Sequence, residues 1–154
     1  IIHGGGLQTM FIPTLSIFMA TAISGMLEGV GFWNDIRQLL ERAKTRSDVF
    51  AANVGLAFLT GAVGCSQAIA VVMTHSIMRI TYAQRGIQDE DVMLDFENSG
   101  ILIAPLQPWN IAAYVPIVMV GTSSTGYVPF AFFLYLVPLI YWLRLRKQDQ
   151  PIIR

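Results

Sequence analysis

The chain has 154 residues, of which 54% are hydrophobic and only 13% are charged, and its formal net charge is zero. Soluble domains carry about 25% charged residues, so this composition excludes an ordinary soluble domain and predicts an integral membrane protein. The basic residues form no nucleic-acid patch, and one cysteine leaves no intrachain disulfide and no cysteine-based zinc site.

Four apolar stretches divide the chain, at residues 7–30, 49–80, 101–121 and 127–143. A membrane-spanning helix needs about 20 apolar residues. The first and the last stretch each fit one crossing, whereas the second is too long for one comfortable crossing. The pattern predicts an all-α, polytopic membrane protein with spanning helices at 7–30 and 127–143.

The second stretch, 49–80, is interpreted as a re-entrant helical hairpin. Its proposed tip, Gly61-Ala62-Val63-Gly64-Cys65-Ser66-Gln67, has the glycines and small polar groups that a turn inside a protein needs. Two alternatives stay open at this point. Residues 49–80 could form a full crossing, or residues 101–121 could form the hairpin instead.

The third stretch is interrupted by Pro105-Leu106-Gln107-Pro108-Trp109-Asn110. A buried core helix has little use for two prolines at its midpoint, but a transporter helix that is broken in mid-membrane frees backbone carbonyls and helix ends. Residues 98–121 are therefore predicted to be a broken transmembrane helix. The hairpin tip and the break would point their helix ends at one spot.

The charges favour one orientation. With 49–80 as a hairpin, all ten Lys and Arg fall on one side of the membrane, and the opposite side keeps only residues 1–6 and 122–126. The positive-inside rule makes the basic side cytoplasmic, so the C-terminus is predicted to be cytoplasmic. Aromatic residues of the interfacial belt are predicted at Trp33, Tyr127, Tyr141 and Trp142.

Candidate ion ligands lie at the tip and at the break. Asn110 offers a hard amide oxygen suited to Na+, although Asn at that place also commonly caps a helix. Ser66 and Gln67 lie at the proposed hairpin tip, where contact with an ion or substrate competes with ordinary satisfaction of the turn.

A second group of candidates begins the broken segment. Glu97 borders the apolar run, where a buried carboxylate can exchange protons near neutral pH. The alternative is an interfacial acid that is stabilised by a helix N-terminus. Asn98 and Ser99 beside it are candidates for ion contact or for helix capping.

Several motifs together resemble the C-terminal part of the Na+/H+ antiporter NhaC family, within the ion-transporter superfamily. They are Gly25-Met26-Leu27-Glu28, Tyr82-Ala83-Gln84-Arg85-Gly86, Glu97-Asn98-Ser99-Gly100, the Pro-x-x-Pro-Trp-Asn break, and Tyr127-Val128-Pro129-Phe130-Ala131-Phe132-Phe133. The similarity covers nearly all of this chain but about a third of a full-length member. Residues 1–154 are therefore expected to be the C-terminal portion of one transporter domain whose N-terminal half is missing.

The resemblance implies Na+/H+ antiport across the bacterial cytoplasmic membrane by alternating access, with Na+ and H+ as transported ions and no cofactor. The alternative is an exchanger of malate or lactate type, or a cation-coupled symporter, that carries a small carboxylate. Two departures keep that alternative open. The family usually has two adjacent acids where this chain has Glu97-Asn98, and commonly has Thr where this chain has Ile111.

The expected partners are the lipid bilayer and the missing half of the protein, with a homodimer left open and no nucleic acid. An intramembrane enzyme is disfavoured, because the sequence has no His-Glu-x-x-His, no Gly-x-Ser-x-Gly and no paired intramembrane aspartates.

Overall fold

The computed structural model describes residues 6–31, 36, 40, 43–123 and 125–148. Those residues form helices and contain no strand, which confirms the all-α prediction for this part of the chain. Helix α1 is Gly6–Gly29, α2 is Arg46–Gly64, α3 is Gln67–Gln84, α4 is Asp89–Phe96, α5 is Ile111–Val120 and α6 is Phe132–Gln148. A π turn at Glu97–Ile101 and 3-10 turns at Ala104–Leu106 and Val128–Phe130 connect them.

Helices α2 and α3 form an antiparallel hairpin. A capping box between Thr45 and Asp48 starts α2, and Cys65 ends it in a left-handed conformation with φ of 50°. Ser66 then starts α3. With 19 and 18 residues, the arms are about 28.5 Å and about 27 Å long, close to the roughly 30 Å of a bilayer's hydrocarbon core. The re-entrant placement of the hairpin stays a prediction.

The chain bends by 52° between Asp89–Leu106 and Ile111–Val120. Pro105 lies in the first positions of a 3-10 turn, and Gln107 is extended, as expected for a residue that precedes a proline. The helical path before the bend begins at Asp89 rather than at residue 98. The π turn at Glu97–Ile101 joins α4 to the apolar run without a break, so the helical path includes Asp89–Phe96 as well.

Helix α2 is the centre of the packing. It contacts α1, α3, α6, the π turn and the 3-10 turn at Ala104–Leu106. The apolar core lies between the hairpin arms and α4, and includes Val49, Leu56, Ile77, Met78 and Phe96. Many large apolar side chains elsewhere are exposed, among them Phe18, Met119 and Phe130, as expected for surfaces that meet lipid or further protein.

By length and composition, α2 is the one described helix that could cross a membrane alone. The bent pair Asp89–Leu106 and Ile111–Val120 would add a second candidate if both halves belong to one span.

Candidate functional site

The break packs directly against the hairpin tip. The backbone N–H of Ile111 donates to the carbonyl of Cys65 at 3.0 Å. The indole Nε1 of Trp109 donates to the carbonyl of Ala62 at 3.2 Å, and Nδ2 of Asn110 donates to the carbonyl of Gly61 at 3.4 Å. The last turn of α2 therefore faces the residues of the break. Helix C-terminal carbonyls carry partial negative charge, which favours a cation nearby.

Asn110 caps α5. Its Oδ1 accepts from the backbone N–H of Ala112 at 3.0 Å, and the residue is fully buried. The capping alternative raised from the sequence is thus present in the structure. An amide oxygen has two lone pairs, so this hydrogen bond leaves Oδ1 one position for a cation.

Gln107 lies between the two prolines and is 1% exposed. Its Nε2 donates to the carbonyl of Phe58 at 2.6 Å, whereas its Oε1 is buried and accepts no hydrogen bond from the described residues. A Cβ built on Gly61 would lie 3.1 Å from Oε1, so the glycine permits this close approach. A buried polar atom without a partner is costly, and a functional role is one explanation for it. We did not select Gln107 from the sequence, although its place inside the broken motif was a usable signal.

Ser66 and Gln67 have different roles at the tip. Ser66 occupies the N-cap of α3 without a side-chain capping bond. Gln67 donates from Nε2 to the carbonyl of Ile101 at 2.8 Å, and so connects the tip to the end of the π turn. The structure therefore brings Ser66, Gln67 and Asn110 to the same region, around the contact between tip and break.

Glu97, Asn98 and Ser99 belong to a different centre. Asn98 donates to the carbonyl of Leu94 at 2.8 Å. Ser99 is fully buried, donates to the carbonyl of Asp95 at 2.5 Å and accepts from Nδ2 of Asn53 at 2.8 Å. The side chain of Glu97 is exposed within the described part of the chain. A proton role for Glu97 stays a prediction.

Asn53 adds a second unpaired acceptor. It is fully buried on α2, and its Oδ1 accepts no hydrogen bond from the residues that the structure describes. Its amide nitrogen faces the carbonyl of Asp95 and the hydroxyl of Ser99. The π turn therefore meets α2 through polar groups, as π turns often do at functional sites.

An ion pair between a fully buried acid and a partly buried arginine, next to this centre, was not expected from the sequence. Both oxygens of Asp95 accept from the guanidinium of Arg46 at 2.7 Å. Tyr82 donates to Oδ2 at 2.8 Å and Tyr141 donates to Oδ1 at 3.3 Å. The cluster joins α2, α3, α4 and α6. The hydroxyl of Tyr141, a residue that we expected in the interfacial belt, belongs to this cluster, and its place in the belt stays a prediction.

Tyr127, another residue that we expected in the belt, contacts the break. Its hydroxyl donates to the carbonyl of Pro105, so the segment before α6 is attached to the break.

No group of three or more His, Cys, Asp and Glu side chains gathers in the described ranges in a way that could hold a metal ion. The polar groups that line the contact between tip and break are amide, indole and carbonyl groups.

Comparison with known proteins adds a family to this geometry. A profile described as the Na+/H+ antiporter family matches residues 1–143. The chain is 31% identical over 148 residues to "Na(+)/H(+) antiporter NhaC" of Bacillus subtilis (strain 168), which covers 91% of this chain and 31% of that protein. It is 26% identical over 145 residues to the protein of the same name from Alkalihalophilus pseudofirmus, with 91% and 30% covered.

A third relative, an "Uncharacterized Na(+)/H(+) antiporter" of Haemophilus influenzae, is 22% identical over 132 residues, with 85% of this chain and 28% of that protein covered. The chain thus spans about a third of the length of these relatives. No solved structure matches it significantly.

Proposed function

Because the chain belongs to the Na+/H+ antiporter family, we propose that it supplies part of the ion pathway of a secondary transporter that exchanges Na+ for H+. Transport is proposed for the whole protein, since this chain spans about a third of its relatives. The proposed location is the bacterial cytoplasmic membrane, with the C-terminus cytoplasmic.

The proposed cation site lies where the hairpin tip meets the break. Oε1 of Gln107 carries this proposal, because it is a hard oxygen that is buried beside the last turn of α2 and lacks a described partner. Na+ is a hard cation that prefers oxygen ligands. Asn110 and the α2 carbonyls supply further oxygens, and Ser66 and Gln67 complete the proposed surroundings.

Access to this site requires movement. Oε1 of Gln107 faces Gly61 closely, and the carbonyls of Gly61 and Ala62 already accept hydrogen bonds from the break. Separation of the break from the tip would open these oxygens to a cation. Such an opening, alternately toward each side of the membrane, is the alternating access that we propose.

The site of proton binding in the exchange cycle is proposed at Glu97, Asn98 and Ser99. What supports it is the junction of the π turn with Asn53, where buried polar groups surround Ser99. Glu97 takes part in no ion pair among the described residues. The nearby acid Asp95, in contrast, is paired with Arg46. Protonation of Glu97 would then alternate with Na+ occupancy in the exchange cycle.

The test uses the full-length gene in everted vesicles from a bacterial host that lacks its own antiporters. The vesicles are energised to an acid-inside pH gradient, and Na+ is added. We expect Na+ to collapse the gradient, and Asn110→Ala to abolish the collapse. Gln107→Leu should weaken the apparent Na+ affinity by about tenfold or more, the scale of one lost polar interaction with a charge.

Gln88→Leu is the matched control, because the side chain of Gln88 is exposed. It should leave the Na+ response unchanged. An unaltered Na+ affinity in Gln107→Leu would contradict the proposed site. If the pH gradient does not respond to Na+, K+ or Li+ and the vesicles exchange malate or lactate, the proposal of Na+/H+ exchange is wrong. The organic-anion alternative then takes its place.

A further inference from the structure

An apolar groove runs between α2 and α6, with a cavity volume of about 520 Å³. Phe50, Gly55 and Phe58 line it from α2, and Pro138 and Trp142 line it from α6. From Phe50 to Phe58, eight residues of helix correspond to about 12 Å. The groove is therefore an apolar slot that extends about 12 Å along the two helices.

The two ends of the groove differ. At one end, Phe58 lies beside the break, since its carbonyl accepts from Gln107, and Leu106 contributes to the lining. At the other end, the ring of Phe50 lies 4.8 Å from that of Tyr141, next to Trp142. The groove therefore leads from the break toward the C-terminal end of α6.

The positively charged side chain of Arg146 lies near this second end of the groove. Cζ of Arg146 is 5.3 Å from the centre of the Trp142 ring. Arg146 follows Trp142 by four residues and so lies on the same face of α6. Arg144 follows by two residues and lies on another face, although it is equally basic and also exposed. Arg146 thus lies over a ring that lines the groove, whereas Arg144 is on another face of the helix.

We propose that this groove binds an anionic phospholipid, with an acyl chain between α2 and α6 and the phosphate at Arg146. Apolar contact alone gives little selectivity in a membrane, because lipid tails are as apolar as the groove. The cation at the end of the groove supplies the selectivity, since basic pockets at the ends of membrane helices bind anionic head groups. Trp142 suits the boundary between tail and head group.

The test uses the purified full-length protein in vesicles of phosphatidylcholine, to which lipids with brominated acyl chains are added. Bromine quenches tryptophan fluorescence on contact, and the difference between the wild type and Trp142→Phe isolates the signal of Trp142. We expect brominated phosphatidylglycerol to quench Trp142 at lower mole fraction than brominated phosphatidylcholine. Arg146→Gln should weaken the phosphatidylglycerol response by about fivefold, the effect of one basic side chain near an anionic surface.

Arg144→Gln is the matched control and should retain the wild-type preference, as should Arg146→Lys. Gly55→Leu tests the groove itself, because a Cβ at Gly55 meets nothing within 4 Å and a larger side chain would fill the slot. It should reduce quenching by both lipids. Equal quenching by the two lipids, or equal losses in Arg144→Gln and Arg146→Gln, would overturn the anionic site. Absence of any Trp142 quenching would show that other protein fills the groove and would overturn the proposal.

Discussion

The carboxylate of Asp95 is fully buried, and its two oxygens accept from Arg46, Tyr82 and Tyr141. An ion pair in such a place contributes little net stability over apolar residues of the same shape, but removal of one partner leaves an uncompensated buried charge. Replacement of Asp95 alone should therefore destabilise the protein more than replacement of both Arg46 and Asp95 by apolar residues.

Asp95→Asn should lower the free energy of unfolding by about 3–5 kcal/mol, because the guanidinium of Arg46 loses its counter-charge. The double variant Arg46→Leu with Asp95→Leu should recover part of that loss. Thermal unfolding of the purified full-length protein measures both. Asp91→Asn, at an exposed acid in the first turn of the same helix, is the control and should cost no more than about 1 kcal/mol, the contribution of the helix dipole. A wild-type melting temperature for Asp95→Asn would refute the role of the pair.

Single residues also show where sequence reasoning stops. Asn110 could be selected because it follows a proline-broken apolar run. Gln107 could have been selected for the same reason, but its unpaired oxygen depends on Phe58 and Gly61 of another helix. Arg46 and Asp95 are separated by 49 residues, and no periodicity relates them. Their pairing is set by how α4 packs against the hairpin.

At the scale of elements, apolar run lengths and glycine or proline positions carried most of the information. They indicated a hairpin in 49–80, and the structure has helices Arg46–Gly64 and Gln67–Gln84 with a turn between them. They also indicated an interruption at Pro105 to Pro108. They did not indicate that the helical path before the break begins at Asp89, because Asp89, Glu90 and Asp91 lie outside the apolar runs. Those acids occupy the first turn of α4, where the helix dipole stabilises them.

The turn of the hairpin makes a prediction of its own. Cys65 has φ of 50°, a conformation that is unfavourable for any residue with a Cβ and natural for glycine. Cys65→Gly should therefore raise stability by up to about 1 kcal/mol, whereas Cys65→Val should lower it, since β-branched residues tolerate this region least. Thermal unfolding of the two variants tests the turn geometry. A more stable Cys65→Val than Cys65→Gly would be incompatible with it.

At the scale of the whole molecule, the family assignment and the all-helical fold agree with a membrane transporter, and the orientation is the property most open to direct measurement. The basic residues all fall on one face only if the hairpin returns to the side from which it starts. A single crossing by residues 49–80 would reverse the topology of the following segment, whereas two full crossings by the two arms would leave it on the same side as a re-entrant hairpin does. Arm lengths do not separate these arrangements, because each arm is about as long as the hydrocarbon core is thick.

Single cysteines at Ser66 and Ser123 distinguish the arrangements in a Cys65→Ser background of the full-length protein, stripped of any other cysteines. With a re-entrant hairpin, a membrane-impermeant thiol reagent should label Ser123→Cys from outside intact cells. Ser66→Cys should react poorly, because the tip packs against the break. Labelling of Ser123→Cys only after the cytoplasmic side is opened would reject the orientation.

The Arg46–Asp95 pair also constrains how the protein is made. The ribosome adds about 5–20 residues per second, so Arg46 emerges roughly 2–10 seconds before the carboxylate that it will meet 49 residues later. During that interval a guanidinium without its counter-charge cannot be buried at acceptable cost. The end of the hairpin at Arg46 therefore cannot reach its final packing until α4 has been synthesised. The rate of translation therefore sets the earliest time at which this region can complete its packing.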